Sequence, residues 1–368
     1  MVSKLNVLKD DKDYGACGLA AIINENGEPF SGRMIADAMS IMDERTNGLG
    51  GGFGVYGVFP ELKDYYALHL FFDDDTCRRE AMQLFEGLFE IEHTEPVPIK
   101  PNRLKQTAPV VWRYFVKPNL KEINERGISE DDYIVNTVMK INSDVAGAYV
   151  VSSGKNLAVF KGNGYPSEVA EYFRIDEYRG YSWLGHGRFP TNTPGWWGGA
   201  HPFALLNWSV IHNGEISSYG INKRYLEMFG YKCTLQTDTE VMTYLFDLLI
   251  RRHGLSLEDA CLAIAPPFWS DIDRMGEEES EFHRSIRIVY ASALVNGPFA
   301  IVLGGEGFIM GLSDRIKLRP LVAARKGDFF YLASEESAVR YISPYLDEVW
   351  MPDAGQPVFG RLRTKVRI

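Results

Sequence analysis

Cysteine is scarce and scattered. The 368 residues include four, Cys17, Cys77, Cys233 and Cys261, with no C-x-x-C pair. Neither a zinc site nor a cysteine-held iron–sulfur cluster is signalled, so no metal is expected in this chain. The pattern points to reduced thiols in a cytoplasmic protein. Positive charge is in deficit. Against 49 acidic residues stand 39 basic ones, a net charge of −10, which argues against general binding to nucleic acid. No apolar run approaches the roughly 18–20 residues that span a bilayer, so no membrane association is expected. The opening MVSKLNVLKDDKDYGA has no apolar h-region and is not a signal peptide. Internal repeats and low-complexity tracts are also lacking. What is present is 45% hydrophobic and 24% charged, an ordinary globular composition with ample core.

The richest stretch is 185–215, GHGRFPTNTPGWWGGAHPFALLNWSVIHNGE. Arg188 follows a short apolar strand, and Thr191, Asn192 and Thr193 form a polar cluster. The strand Trp208 to His212 then runs into Asn213-Gly214-Glu215. A strand ending in Asn-Gly can place an amide side chain beside a bare backbone N–H, a good oxyanion hole if a nucleophile lies opposite. The same dipeptide is also a common hairpin turn.

Along the rest of the chain, CGLAAIIN at 17–24 reads as a buried strand. Ser31 can cap a helix from about Gly32 to Glu44, whose apolar residues fall on one face. The glycine-rich run 45–52 lacks a following Gly-Lys-Ser/Thr and reads as a tight loop rather than a phosphate cradle. Residues 93–108 read as a surface loop, and 270–285 as a charged, exposed stretch. Thr237 and Glu240 fit a capping box at the start of a strong helix reaching about Arg252. Asp238 is then either a first-turn acid complementing the helix dipole or a carboxylate aimed at an ammonium group. From 299 onward the pattern is antiparallel strands. Helices covering two stacked sheets are expected.

Taken in order, the motifs resemble class II glutamine amidotransferases, which belong to the N-terminal nucleophile hydrolases. They most resemble the glutaminase domain of glutamate synthase. The matching runs are Cys17-Gly18, Arg188-Phe189-x-Thr191-Asn192-Thr193, Ala200-His201-Pro202-Phe203 and His212-Asn213-Gly214-Glu215-Ile216. Further on come Asp238-Thr239-Glu240, Ala265-Pro266-Pro267-x-Trp269, Asp314-Arg315-x-x-Leu318-Arg319-Pro320 and Ala333-Ser334-Glu335. Each run alone is weak; the ordered set is specific.

The resemblance implies an α+β fold, a four-layer αββα sandwich of two antiparallel sheets, with residues 93–175 as a family-specific excursion. It makes Cys17 the nucleophile and places an oxyanion hole at Asn213 and Gly214. It sets Arg188 on the α-carboxylate and Asp238 on the α-ammonium of L-glutamine, with Thr191, Asn192 and His201 in support. Arg45 and Gly51-Gly52 are expected to line the pocket. An N-terminal cysteine amine is a suitable base for its own thiol, because both ionise near neutrality. Residues 1–16 precede Cys17, so they are expected to be a leader that is removed, leaving 17–368 as the amidotransferase domain. The flavin-binding, iron–sulfur and β-helix regions of a full glutamate synthase are missing from the sequence. The expectation is therefore a stand-alone glutaminase subunit that passes ammonia to a partner. No cofactor is expected in this chain; FMN and iron–sulfur clusters would sit on partner chains. Alternatives are the same chemistry serving another acceptor, such as a methylamine system, an acylase acting on a different amide, and a non-catalytic glutamine-binding subunit.

Overall fold

The computed structural model describes residues 15–190 and 195–363. Its central element is the strand Gly18–Asn24, buried along its whole length. Leu19, Ala21 and Ile23 face a second sheet, whereas Ala20 and Ile22 face helices. A strand covered on both faces needs apolar residues at successive positions rather than alternate ones, which is why GLAAII is continuous.

That strand lies in the middle of a seven-stranded antiparallel sheet. From edge to edge the strands are Glu348–Trp350, Val322–Lys326, Phe329–Ala333, Gly18–Asn24, Ser182–Gly187, Gly51–Tyr56 and Leu157–Gly162. A five-stranded antiparallel sheet packs against it, in the order Phe203–Leu205, Trp208–Gly214, Phe299–Gly305, Phe308–Ser313 and Val358–Arg361. Leu19, Leu184 and Leu332 from one sheet meet Ile211, Val302 and Ile309 from the other. Helices Arg33–Ser40, Pro166–Tyr172 and Glu336–Ile342 cover the outer face of the first sheet. Helices Tyr219–Met228, Asp238–Phe246 and Leu257–Ile264 cover that of the second. The result is the expected four-layer αββα sandwich, an α+β fold.

A further four-stranded sheet, Phe89–Pro96, Val110–Pro118, Tyr66–Phe72 and Ala148–Ser152, carries helices Asp75–Leu88 and Glu130–Asp144. The excursion from the sandwich thus draws on strands between Tyr66 and Ser152. Within the expected span 93–175, Leu157–Gly162 and Pro166–Tyr172 already belong to the main layers.

Several local readings change. The loop expected over 93–108 begins as the end of the edge strand Phe89–Pro96, whose Glu-Ile-Glu-His-Thr-Glu run is largely exposed and so shows no apolar alternation. The charged stretch 270–285 contains most of the helix Glu277–Val289, with Glu277, Glu278 and Glu279 in its first turn, where acids favour the helix dipole. Gly32, not Ser31, occupies the cap of helix Arg33–Ser40, although the Ser31 hydroxyl accepts the Arg33 N–H at 3.1 Å. Cys233 and Cys261 are buried, whereas Cys77 is half-exposed. No helix of the described residues is long and apolar enough to cross a membrane.

Leu184 is fully buried between the two sheets. Leu184→Ala is expected to lower the unfolding free energy by about 3 kcal/mol, the usual cost of a core cavity, read as a reduced urea midpoint at unchanged slope.

Candidate active site

Strand register builds one side of the site. The antiparallel pairing of Gly18–Asn24 with Ser182–Gly187 matches Gly18 to Gly187. Cys17 and Arg188 each lie one residue beyond that pair, so they meet at the same end of the sheet. The Phe189 N–H points at Cys17 Sγ, 3.4 Å away. Both residues line a cavity of about 220 Å³, together with Phe189, His201, Gly214 and Asp238.

The second sheet supplies another side. Asn213 and Gly214 are not a hairpin turn. They are the last two residues of Trp208–Gly214 and pair with Ala300 and Phe299. Gly214 has φ +146°, and a Cβ there would lie 2.0 Å from the Pro298 carbonyl oxygen, so only glycine fits. Buried Asn213 donates from Nδ2 to Ser334 Oγ at 3.3 Å, and that hydroxyl also accepts the Leu19 N–H at 3.2 Å. Ser334 thereby ties the Asn213 amide to the strand that follows Cys17. An amide nitrogen has two hydrogens, so one remains for a ligand.

The third side is a helix start. Asp238 is the first residue of Asp238–Phe246, with Thr237 as cap. Its Oδ2 accepts the Ile216 N–H at 3.1 Å, and its Oδ1 lies 3.2 Å from Thr239 Oγ1 and 3.5 Å from His212 Nδ1. Burial pushes this carboxyl upward, but the charge and hydrogen bond of His212 and the Ile216 and Thr239 donors outweigh it. The net position is below the ordinary carboxylate range. The capping box is only half formed. Thr237 Oγ1 accepts the Glu240 N–H at 3.2 Å, but the Glu240 carboxylate accepts from Thr234 and Leu235 instead of reaching back to Thr237.

Two groups set the electrostatics. Burial raises the Cys17 thiol above its ordinary value, only partly offset by the Phe189 N–H and the Arg188 charge, so the thiol holds its proton at neutral pH. Arg188 is buried against Gly199, where a Cβ would stand 2.4 Å from its Nη1. Burial lowers the guanidinium below its ordinary value, only partly offset by the nearby acidic side chains Asp238 and Glu215.

In the cavity wall the rings of His201 and His212 lie parallel, and His186 stacks on His201 from behind. His201 Nδ1 accepts the His212 N–H at 3.2 Å, which leaves its proton on Nε2, 3.1 Å from Thr239 Oγ1. Burial holds both His186 and His201 well below their ordinary pKa, and His186 falls to about 3. Among the described residues no group of three or more His, Cys, Asp or Glu side chains is placed to hold a metal ion.

The family described as "Glutamine amidotransferases class-II" matches residues 65–236. A protein of Archaeoglobus fulgidus that carries no functional name is 51% identical over 98% of this chain and 96% of its own length. A putative glutamine amidotransferase of Methanothermobacter thermautotrophicus is 24% identical over 89% of this chain and 93% of its own. The chain carries a class II glutamine amidotransferase domain, which makes it an enzyme. A glutamine–fructose-6-phosphate aminotransferase of Sulfurisphaera tokodaii is 36% identical over 30% of the amidotransferase, which spans 19% of that longer protein. Among solved structures, the glutamine phosphoribosylpyrophosphate amidotransferase of B. subtilis covers 95% of the chain, with 50% of its own length, at 14% identity and a TM-score of 0.44.

Of the residues named from sequence, Cys17, Arg188, His201, Gly214 and Asp238 line the amidotransferase's cavity, and Asn213 adjoins it through Gly214. Thr191 and Asn192 lie outside the described residues. His201 spends both ring nitrogens on His212 and Thr239. Arg45 and Gly51-Gly52 are not in the cavity wall. The Arg45 guanidinium pairs with Glu335 and its carbonyl accepts the Ala16 N–H at 2.9 Å. Gly51 and Gly52 sit in a strand, where a Cβ on Gly52 would meet the His201 carbonyl at 2.2 Å. Sequence reasoning missed the parts played by Ser334, Thr239 and His212. Each belongs to a quoted motif, but nothing in a motif says which residues will touch across two sheets.

Because the folded Asp238 carboxyl ionises below its ordinary value, it adds stability above the unfolded pKa of about 3.9, and that part is lost as pH falls through the folded value. Asp238→Asn lacks it. The gap in urea midpoint between wild type and variant is expected to be widest near neutrality and to shrink as pH falls below about 4.

Proposed function

We propose that this amidotransferase hydrolyses L-glutamine to L-glutamate and ammonia through a γ-glutamyl thioester on Cys17. The observation that carries the reading is one cavity holding a guanidinium and a carboxylate, a matched pair for the two charged groups of an amino acid, beside a thiol. Arg188 would take the α-carboxylate, a task suited to guanidinium geometry, and Asp238 the α-ammonium.

The chemistry follows from the protonated thiol. A base is needed, and the α-amine of Cys17 is adjacent once residues 1–16 are removed. The amine takes the Sγ proton as sulfur attacks the carboxamide carbon. The oxyanion is met by Asn213 Nδ2–H and the Gly214 N–H. When the C–N bond breaks, the ammonium returns that proton to the leaving nitrogen, which departs as ammonia. Water, deprotonated by the same amine, then opens the thioester, and Sγ regains its proton as glutamate leaves. Thr191 and Asn192 are kept as supporting residues, and His201 as the residue that holds Thr239 beside Asp238.

For the fate of the ammonia, we propose transfer to the FMN- and iron–sulfur-containing machinery of a split glutamate synthase. The ordered motif set from Cys17 to Ser334 supports this, through its likeness to glutamate synthase glutaminase domains. The local similarity to fructose-6-phosphate aminotransferases bears on the shared glutaminase half, since it covers 30% of the chain. A methylamine-type acceptor uses the same half-reaction. Co-purification with an FMN-containing synthase chain that raises glutaminase turnover would support the split enzyme; the absence of both would remove it.

Intact mass is the direct test of the nucleophile. A chain beginning at Cys17 that gains one adduct from a diazoketone analogue of glutamine is expected, and Cys17→Ser should gain none. A chain that retains Met1 in its active form overturns the amine-base assignment. Asn213→Ala is expected to lower kcat about 100-fold or more with a smaller change in KM, the effect of losing one oxyanion donor. Ser334→Ala, which frees the Asn213 amide and leaves the Leu19 N–H without its acceptor, should lower kcat by about tenfold in the same assay.

A further inference from the structure

A carboxylate and an ammonium lie buried behind the cavity wall, and the chemistry above uses neither. Glu240 is wholly buried at the third position of helix Asp238–Phe246. Its two oxygens accept the Thr234 and Leu235 N–H groups at 3.1 and 3.0 Å. The Tyr244 and Tyr149 hydroxyls stand 3.3 and 3.4 Å from the same carboxylate. Lys161, equally buried on Leu157–Gly162, donates from Nζ to the Ala200 carbonyl at 3.1 Å.

Each group holds the backbone of a wall segment. Thr234 and Leu235 lead directly into Gln236, Thr237 and Asp238, which line the cavity. Ala200 sits between Gly199, packed on the Arg188 guanidinium, and His201, bonded to Thr239.

Gln236 is where the constraint matters. Its φ is +55°, in the left-handed region that disfavours a non-glycine residue. Such a residue persists only where its surroundings over-determine it. Two consecutive N–H groups locked on the two oxygens of one carboxyl group, immediately before Gln236, supply that constraint. This is why Glu240 forgoes the reach back to Thr237 that a full capping box would make.

We propose that Glu240 is a positioning residue for substrate recognition: it anchors the turn 234–237 so that Asp238 meets the α-ammonium. The proposal rests on the reading of Asp238 as the ammonium partner. The groups that face Glu240 are Lys161 from its strand, Tyr149 from Ala148–Ser152, Tyr244 from the same helix, Tyr219 from Tyr219–Met228, and Cys233. Burial pushes the Glu240 carboxyl up to about 7, against the pull of its N–H donors and Lys161. Burial likewise brings Lys161 down to about 7, against the pull of Glu240.

The test compares L-glutamine with 4-carbamoylbutanoate, which lacks only the α-amino group, on the mature enzyme. Glu240→Gln is expected to raise KM for glutamine about tenfold, the scale of one hydrogen bond to a charged group, with kcat within about threefold. Turnover of the desamino substrate should stay near wild type, so the preference for glutamine falls. Equal losses on both substrates, or an unchanged preference, overturn the proposal. Should Glu240→Gln fail to fold, Glu240→Asp withdraws the charge by one methylene and must lower the same preference. Asp238→Asn separates the two ideas. If it keeps the preference for glutamine, the ammonium reading itself fails; if it loses the preference while Glu240→Gln keeps it, only the positioning role fails.

Discussion

The pairing of Gly18 with Gly187 is the constraint from which the site follows. It joins two strands that are each buried on both faces, one against the second sheet and one against helices. A slip of one residue would turn Leu19, Ala21 and Ile23 away from the inter-sheet core and expose the two layers to mismatched side chains. The cores therefore lock the register, and the register sets Cys17 across from Arg188. No loop has to be folded into place to bring a thiol and a guanidinium together.

The remaining groups come from elements that meet this end of the sheet from other directions. Gly214 reaches it because the second sheet stacks there and because a glycine can pass within contact of the Pro298 carbonyl. Asp238 reaches it because a helix starts there. Buried polar atoms then join the layers: Ser334 spans from the Asn213 amide to the Leu19 N–H, and Thr239 stands among His201, His212 and Asp238. In a low-dielectric interior such networks fix geometry, because a missing partner is costly. Among the described residues, His212 Nε2 has no hydrogen-bond partner although His212 is buried and lines the cavity.

The family, the two-sheet sandwich and most of the site were legible in the chain. CGLAAIIN reads as a strand buried on both faces because its apolar residues are uninterrupted. The pairing of residue types at Arg188 and Asp238 suits an amino acid whatever fold carries them. The edge strand Phe89–Pro96 was not legible, because an exposed edge leaves charged side chains on both faces and erases the alternation that marks a strand. The Glu240 contacts were not legible either, since a glutamate three residues after a threonine fits a capping box from spacing alone.

By itself the sequence determined which chemical groups exist and their order: one cysteine beside a glycine, an arginine, an Asn-Gly pair and an acid opening a helix. These are set by covalent structure and local propensity, which act over a few residues. The tertiary structure decided what those groups face. Cys17 and Arg188 are separated by most of the first half of the chain, and Asn213 reaches Leu19 only through Ser334. Sheet register and layer stacking choose such contacts, through burial summed over two cores, and no local stretch of sequence contains that sum.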